Sequence, residues 1–389
     1  MAVATITLES SNGDSVVVSA PNDDYLEDEI ILDTNPDGMY DTGFTVRTKS
    51  GAFEPGGRIV GESVPIREMV LPFWLTPASR PRFQRLWGSP GNFHKVKWHY
   101  DGPSGRRSLT LRLAKEIKYT TEDGFDADID EVYHAVVSAL AVNPMYEGEE
   151  DVQEWVNSNN QTITVAVVAA GGTFTLTFDG RVTAGINHNA STTTVQNALL
   201  ALPNLSPGQV SVSGVPGNYA ISITVAGALT GSAAGLIGSG IFHDGPTSLT
   251  IDYAESMALF AIWNPTDQPC WLEWTFDPAD EWRFPDYGFD QERKWGRAVG
   301  DDAARMIVTP RLTQKLSVMS DPFMDTYVNA DLSNAAGLFN GVEPIYPVPP
   351  YYASEAGPLI VPVMCKGPAG AKATLRMRRF WSAESGLET

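Results

Sequence analysis

One acidic run has the spacing of a calcium-binding loop. Asp126, Asp128 and Asp130 stand at alternate positions, as the first three ligands of such a loop do. However, Glu131 stands where the sharp turn of the loop needs glycine, and Val137 stands where the bidentate glutamate belongs. We interpret the run as a strand with outward carboxylates, so it predicts no metal site.

The histidines and the common catalytic motifs give no other reactive site. His94 and His99 are five residues apart and point to opposite faces of a strand, so they do not share a metal. The sequence has no His-Glu-x-x-His, no Gly-x-Ser-x-Gly elbow, no phosphate loop and no Gly-x-Gly-x-x-Gly. We therefore predict no catalytic residue, no metal and no cofactor.

Several carboxylates lie among the tryptophans of residues 271–282. Two carboxylates beside a sugar-binding surface are the equipment of a glycosidase. A chain with 47 acidic residues also brings carboxylates together by chance, so we do not predict an enzyme. A polysaccharide hydrolase is kept as an alternative. The carboxylates concerned are those of Glu273, Asp277, Asp280 and Glu281.

Alternation along one strand assigns two of these tryptophans to opposite faces. Cys270, Leu272, Trp274 and Phe276 form a continuous apolar face that a β-sandwich must bury. Trp271 lies on the other face. It is therefore the candidate contact for a glycan.

Composition predicts a mainly β chain of two or three domains. The 389 residues include 35 Gly and 27 Pro, too many turn formers for a mainly helical protein. Cys270 and Cys365 leave one disulfide open but exclude a disulfide framework. We find no signal peptide and no run of the roughly 18 apolar residues that a membrane span needs. We therefore expect the chain to be soluble where it is made.

Charge is segregated along the chain. The net charge of −20 argues against nucleic-acid binding, which needs clustered bases. Residues 1–46 hold ten acids and no base, whereas residues 58–118 hold twelve bases and four acids. The two segments either pair within one domain or meet head to tail between identical subunits. The candidate interface residues are Asp23, Asp24, Glu27, Asp28, Arg80, Arg82 and Arg85.

The first 150 residues predict a split barrel or β-sandwich with one short helix. Strand-like runs at 44–48 and 66–74 frame a Gly/Pro break, Glu54-Pro55-Gly56-Gly57-Arg58. Residues 76–87 have apolar side chains at helical spacing, which predicts a short amphipathic helix. The run at 133–142 suits a buried strand or a helix, and its valines favour a strand.

Residues 151–245 predict an inserted α+β module. This stretch has only five charged side chains, against 38 in the first 150 residues. A helix is expected at 192–202, flanked by strands that include 210–213 and 219–225. Residues 246–389 return to an aromatic-rich texture with seven strand-like runs, which predicts a jelly-roll sandwich.

This layout resembles the distal tail proteins of siphophages. The order of elements after residue 44 is similar to their first domain. The Asn264-Pro265 turn before Trp271-Leu272-Glu273-Trp274 is similar to a passage in their galectin-like second domain. The insert resembles small modules of phage virion proteins through Thr192-x-x-Val195-Gln196-x-Ala198-Leu199, and this implies no catalytic activity.

The resemblance implies a structural protein at the distal end of the virion tail. It implies a hexameric ring, with the first domain forming the ring and the second projecting outward. The expected partners are other copies of the chain, the tail tube protein and the tail-tip proteins. The alternative is a module that binds a host-surface glycan or receptor. Oligomer size, glycan-array binding and release of reducing sugar distinguish the three hypotheses.

Overall fold

The computed structural model describes residues 4–22, 27–51, 55–88, 94–120, 132–157 and 161–388. It is mainly β, with 47% of residues in strands and 7% in helices. This confirms the fold class expected from composition. Strand pairing groups the described residues into a barrel-like sheet, a sandwich and an insert.

The first part of the chain forms a nearly closed barrel-like sheet, which we call the barrel. The elements of this part of the chain are β1 Thr5–Ser10, β2 Ser15–Ser19, β3 Ile30–Leu32, β4 Thr45–Lys49, β5 Arg58–Ser63, β6 Arg67–Leu75, α1 Arg80–Trp87, β7 Val96–Gly102, β8 Gly105–Leu113, β9 Lys118–Thr120, β10 Tyr133–Ala141 and β11 Tyr146–Glu147. The strands pair in the order β2-β1-β7-β8-β10-β6-β3. Strands β4 and β5 pair only with each other.

Helix α1 covers the core of the barrel, as its apolar spacing predicts. Phe83, Leu86 and Trp87 are buried, while the intervening Gln84 and Arg85 are exposed. Pro81 suits the first turn because the N–H that it lacks has no partner within the helix there. The run at 133–142 is the strand β10, which pairs with β6 over nine residues. The strand interpretation of that run is confirmed.

The insert has a core of its own. The chain first passes through β12 Asp151–Val156. The insert then comprises β13 Gln161–Val168, β14 Gly171–Phe178, β15 Arg181–Val182, β16 Ile186–Asn187, α2 Thr192–Leu200, β17 Val210–Val215, β18 Asn218–Ile223, β19 Leu229–Ser232, β20 Leu236–Ile237 and β21 Ser248–Tyr253. Ser191 caps α2 by accepting a hydrogen bond from the Thr194 N–H at 3.2 Å. Val195 and Leu199 on α2 are buried in the core of the insert.

The last part of the chain forms the sandwich. Its remaining elements are β22 Ser256–Ile262, β23 Leu272–Phe276, β24 Glu281–Pro285, β25 Met306–Val308, β26 Leu316–Met319, β27 Tyr327–Asn329, β28 Leu359–Lys366 and β29 Lys372–Met377, followed by β30 Phe380–Trp381. Short 3-10 turns occur at Glu292–Trp295 and Ala336–Phe339. The sheets β12-β29-β23-β26-β27 and β22-β28-β24-β25 enclose one aromatic-rich core.

Strand pairing divides the chain differently from composition. Strand β12 pairs with β29, so residues 151–156 lie at the edge of the sandwich. Strand β21 pairs with β13, so residues 248–253 belong to the sheet of the insert. Strand β30 pairs with β11, so the chain returns to the barrel after leaving the sandwich. The local density of charged residues cannot predict which strands pair, because a strand and its partner can be far apart in sequence.

We expect the insert to be removable when the deletion follows the boundaries of its first and last strands, β13 and β21. The hydroxyl of Ser256 donates a hydrogen bond of 2.6 Å to the side-chain oxygen of Asn157, so the two ends of the sandwich meet there. Replacing residues 158–254 with a short Gly/Ser linker should leave a soluble chain that keeps the melting temperature of the sandwich. Removing residues 160–245 instead should promote aggregation, because β21 loses its partner β13. Differential scanning calorimetry and light scattering on both variants test this, and aggregation of the first would contradict it.

Candidate assembly interface

The pair β4 and β5 is a hairpin that stands apart from the barrel. Its strands run antiparallel from the Thr45–Ser63 pair to the Lys49–Arg58 pair. Every residue of β4 is exposed, and β5 is nearly so. An isolated two-stranded hairpin is marginally stable in water, because it has no third strand or helix to cover it. Within the described residues, no third strand pairs with this hairpin.

Exposed apolar side chains occur on the hairpin, in the residues between β5 and β6, and along the outer face of β6, where the exposed Glu68 stands among them. We call this surface the apolar stripe. Phe44 is 69% exposed and Ile59 is 66% exposed, and Trp74 marks the other end. Exposed apolar side chains of this size are candidates for an interaction surface. The stripe consists of Phe44, Val46, Ile59, Val60, Val64, Ile66, Val70 and Trp74.

The acidic and basic segments meet within the same chain at Arg82. Its guanidinium lies 3.0 Å from the carboxylate of Asp14 and also forms an ion pair with Asp28. The hydrogen bond to Asp14 is the largest factor that raises the pKa of Arg82. Pairing within one domain, one of the two interpretations of the segregated charge, is therefore what the structure shows for Arg82.

The other candidate interface residues have different surroundings. The guanidinium of Arg80 lies over the rings of Tyr119 and Tyr133, 4.7 and 4.8 Å from their centroids, and donates to the Tyr133 hydroxyl at 3.1 Å. Arg85 and Glu27 are exposed. Asp23 and Asp24 lie outside the described residues. Arg85 and Glu27 therefore remain available to a neighbouring subunit.

The apolar face assigned to β23 is confirmed. Cys270, Leu272, Trp274 and Phe276 are all buried, and Trp274 is only 2% exposed. Its indole lies 5.3 Å from the Phe260 ring across the sandwich. Trp271 is partly buried, so it is less accessible than a fully exposed glycan platform would be.

The carboxylates near these tryptophans form separate ion pairs with arginines. Glu273 lies 3.0 Å from Arg378, and Asp280 lies 3.1 Å from Arg311. Burial raises the pKa of both carboxyl groups, and the arginines oppose that shift. Glu281 lies 2.7 Å from Arg283. The Glu273 pair joins β23 to the residue after β29, the Asp280 pair joins two loops, and the Glu281 pair lies within β24.

The described residues give no cluster that suits a metal. No group of three His, Cys, Asp or Glu with suitable positions occurs among them. The calcium-like run from Asp126 to Glu131 lies outside the described residues. Cys270 and Cys365 are buried free thiols, so the disulfide that the sequence left open is not formed. Within the described parts of the chain, no helix is long and apolar enough to span a membrane.

A cleft of about 460 Å³ lies between the barrel and the sandwich. Its wall includes Trp263 and Trp381, which are the aromatic groups expected of a sugar site. An arginine guanidinium of the same chain packs over each of these indole rings. Arg379 lies 5.1 Å from the Trp263 ring, and Arg107 lies 3.9 Å from the Trp381 ring. Those ring faces are therefore occupied by groups of the chain itself.

Residues 380–388 hold the barrel and the sandwich together, and we call them the terminal strap. Arg107, which is 1% exposed, donates to the carbonyl oxygens of Ala383 at 2.8 Å and Gly386 at 2.7 Å. Arg67 donates to the Ser382 carbonyl at 2.6 Å. On the sandwich side, the Ser382 N–H donates to Asp267 at 3.1 Å. Sequence reasoning missed these arginines because nothing in their spacing separates them from the other bases of residues 58–118.

Comparison with known proteins gives structural neighbours but no family assignment. No protein-family model and no curated protein matches the chain. The Dit (gp 19.1) protein of phage SPP1, described as a paradigm of the hub adsorption apparatus in phages of Gram-positive bacteria, is 11% identical with a TM-score of 0.40. A chain of the phage p2 baseplate in its activated conformation is 9% identical with a TM-score of 0.38, both with Ca and with Sr. Each alignment covers 96% of this chain and 98% of the other. TM-scores below 0.5 do not establish a shared fold, so no residue role is transferred.

Proposed function

We propose that this chain is a structural subunit of a homo-oligomeric ring at the distal end of a phage tail. The ring, a hexamer, joins the tail tube protein to the tail-tip proteins that contact the host. The barrel supplies the contacts between subunits and the sandwich projects outward. The sequence layout that resembles distal tail proteins supports this proposal, as does the apolar stripe on the barrel.

The observation that carries the proposal is the exposed hairpin of β4 and β5. A pair of strands with apolar side chains on a solvent-exposed surface is unfavourable in an isolated chain. Packing the hairpin on the neighbouring barrel buries Phe44, Val46, Ile59 and Val60 in every subunit. When the hairpin of each subunit packs on the barrel of the next, the contact is head to tail, and such contacts close into a ring where the rotation between subunits allows it.

Mass photometry of the purified chain tests the ring. The wild type is expected as a species of six times the chain mass of 42.2 kDa. Phe44→Ser with Ile59→Ser should convert it to the single-chain mass, because two large apolar contacts per interface are lost. Val182→Ser with Val215→Ser is the matched control, since these insert residues are 59% and 61% exposed. A wild type that stays monomeric at micromolar concentration, or a hairpin variant that still forms the large species, contradicts the proposal.

The exposed Arg85 gives a finer test of charge across the interface. Reversal to Glu should weaken association and make it less sensitive to salt, since a rim charge mainly affects encounter and screening. Arg82→Glu should instead lower the stability of the single chain, because it places a third acid beside Asp14 and Asp28. If Arg85→Glu leaves association unchanged at low and high salt, charge does not contribute at this position.

A further inference from the structure

One loop of the insert presents two large apolar side chains directly to solvent. We call residues 238–245 the insert tip. Ile241 is 93% exposed and Phe242 is 86% exposed, although they are adjacent in sequence. A folded chain gains nothing from such exposure, since both side chains stabilise it only when they leave water. Their position therefore indicates a surface outside this chain.

The neck of the insert tip is closed, which holds the two side chains outward. The Gly245 N–H donates to the Ser239 carbonyl at 2.9 Å. A Cβ added to Gly238 would lie 2.1 Å from the carbonyl oxygen of Gly245, so the two backbone segments cross in contact. Only glycine fits at that crossing. A loop closed in this way keeps Ile241 and Phe242 from folding back onto the insert.

The insert tip lies at the end of the insert that is remote from the sandwich. The chain enters the insert at the first residue of β13 and leaves it after Tyr253 of β21. At the other end of these paired strands, Val168 lies opposite Ser248, three residues after Gly245. With eight residues in β13, the two ends are about 26 Å apart. The tip therefore projects away from the rest of the chain.

The surroundings of the insert tip are apolar and almost without charge. Val168, Val215 and Ile237 are exposed at the same end of the insert. Residues 158–247 contain only three charged side chains, Asp179, Arg181 and Asp244. No basic cluster is present to hold an anionic headgroup, a phosphate or a nucleic acid. Apart from Phe242 itself, the described residues at this end include no exposed Tyr, Trp, Phe, Met or Arg, the side chains that are enriched at protein interfaces.

We propose that the insert tip binds the surface of a lipid bilayer with zwitterionic headgroups. Ile241 and Phe242 enter the boundary between headgroups and acyl chains, as the apolar face of an interfacial element does. A bilayer needs no complementary pocket, which suits a convex tip formed by two side chains. The contact does not depend on the ring, although several copies held together would bind more tightly through multivalency.

Flotation of the full chain with phosphatidylcholine vesicles tests the proposal. The wild type should float with the vesicles, and Ile241→Ser with Phe242→Ser should raise the lipid concentration for half-maximal binding at least about tenfold. Phe323→Ser is the matched control, because Phe323 is also 93% exposed but lies on the sandwich. It should float as the wild type does. Adding phosphatidylglycerol should not increase binding, because the insert has no basic cluster.

Three outcomes would overturn the proposal. One is a wild type that does not float at millimolar phosphatidylcholine, which would assign the tip to a protein partner. Another is equal flotation of the wild type and the double variant. The third is binding that appears only with phosphatidylglycerol. Because the substituted side chains are exposed, unchanged melting temperatures should show that the variants remain folded.

Discussion

Replacing Trp274 with alanine is expected to lower the free energy of unfolding of the sandwich by about 3–5 kcal/mol, the usual range for emptying an aromatic site in a packed core. The indole is stacked with the Phe276 ring at 5.9 Å and lies 5.3 Å from Phe260 and 6.0 Å from Phe284. These rings come from both sheets. A cavity at Trp274 therefore removes contacts between the two layers as well as buried apolar area.

Trp271→Ala is the matched control for this prediction. Trp271 is partly buried and lies outside the core, so its removal should cost less than about 1.5 kcal/mol. Chemical denaturation of the full chain, followed through the transition of the sandwich, measures both variants. The full chain is required because β12, at residues 151–156, is an edge strand of the sandwich. Equal losses for the two variants, or a larger loss for Trp271→Ala, would contradict the prediction.

Trp271 is also the residue on which glycan binding is predicted. If the chain binds a host-surface glycan through it, Trp271→Ala should abolish binding on a glycan array while the fold is unchanged. Glycan binding that persists in Trp271→Ala would show that the glycan site does not include Trp271.

Replacing Arg107 with alanine is expected to release the terminal strap and to cost about 2–4 kcal/mol. The guanidinium supplies donors to two backbone carbonyls and an ion pair to Glu388, and it lies over the Trp381 ring. Each buried carbonyl left without a donor costs about 1–3 kcal/mol, and detachment of the strap would relieve part of that cost. The barrel and the sandwich would then lose one of their connections.

Arg106→Ala is the control, because the neighbouring side chain has the same chemistry at the surface. Its ion pair with Asp101 is exposed, so its loss should cost less than about 1 kcal/mol. Hydrogen exchange of the amides of residues 382–386, together with chemical denaturation, measures the effect. Unchanged exchange in Arg107→Ala would show that the other contacts of the strap, among them β30, Arg67 and Asp267, hold it without Arg107.

Local sequence patterns were sufficient for much of the secondary structure. The density of valines favoured the strand β10. Alternation identified the buried face of Trp274, because the period of a strand is set by backbone geometry alone. Helical spacing identified α1 and α2 for the same reason. Low charge density set residues 151–245 apart from the rest of the chain in composition. Turn formers and aromatic content predicted the mainly β class.

Only the tertiary structure decided which distant segments meet. The sequence could not show that β12 joins the sandwich, that β21 joins the insert or that β30 returns to the barrel, because hydrogen bonds between strands carry no local signature. The sequence also could not distinguish three arginines of the basic segment 58–118, because they are the same residue type. Arg82 pairs with Asp14 and Asp28, Arg107 is buried, and Arg85 is exposed. Nor could the sequence reveal that the hairpin of β4 and β5 is left uncovered. Burial depends on how the whole chain packs, whereas periodicity depends only on the residues beside one another.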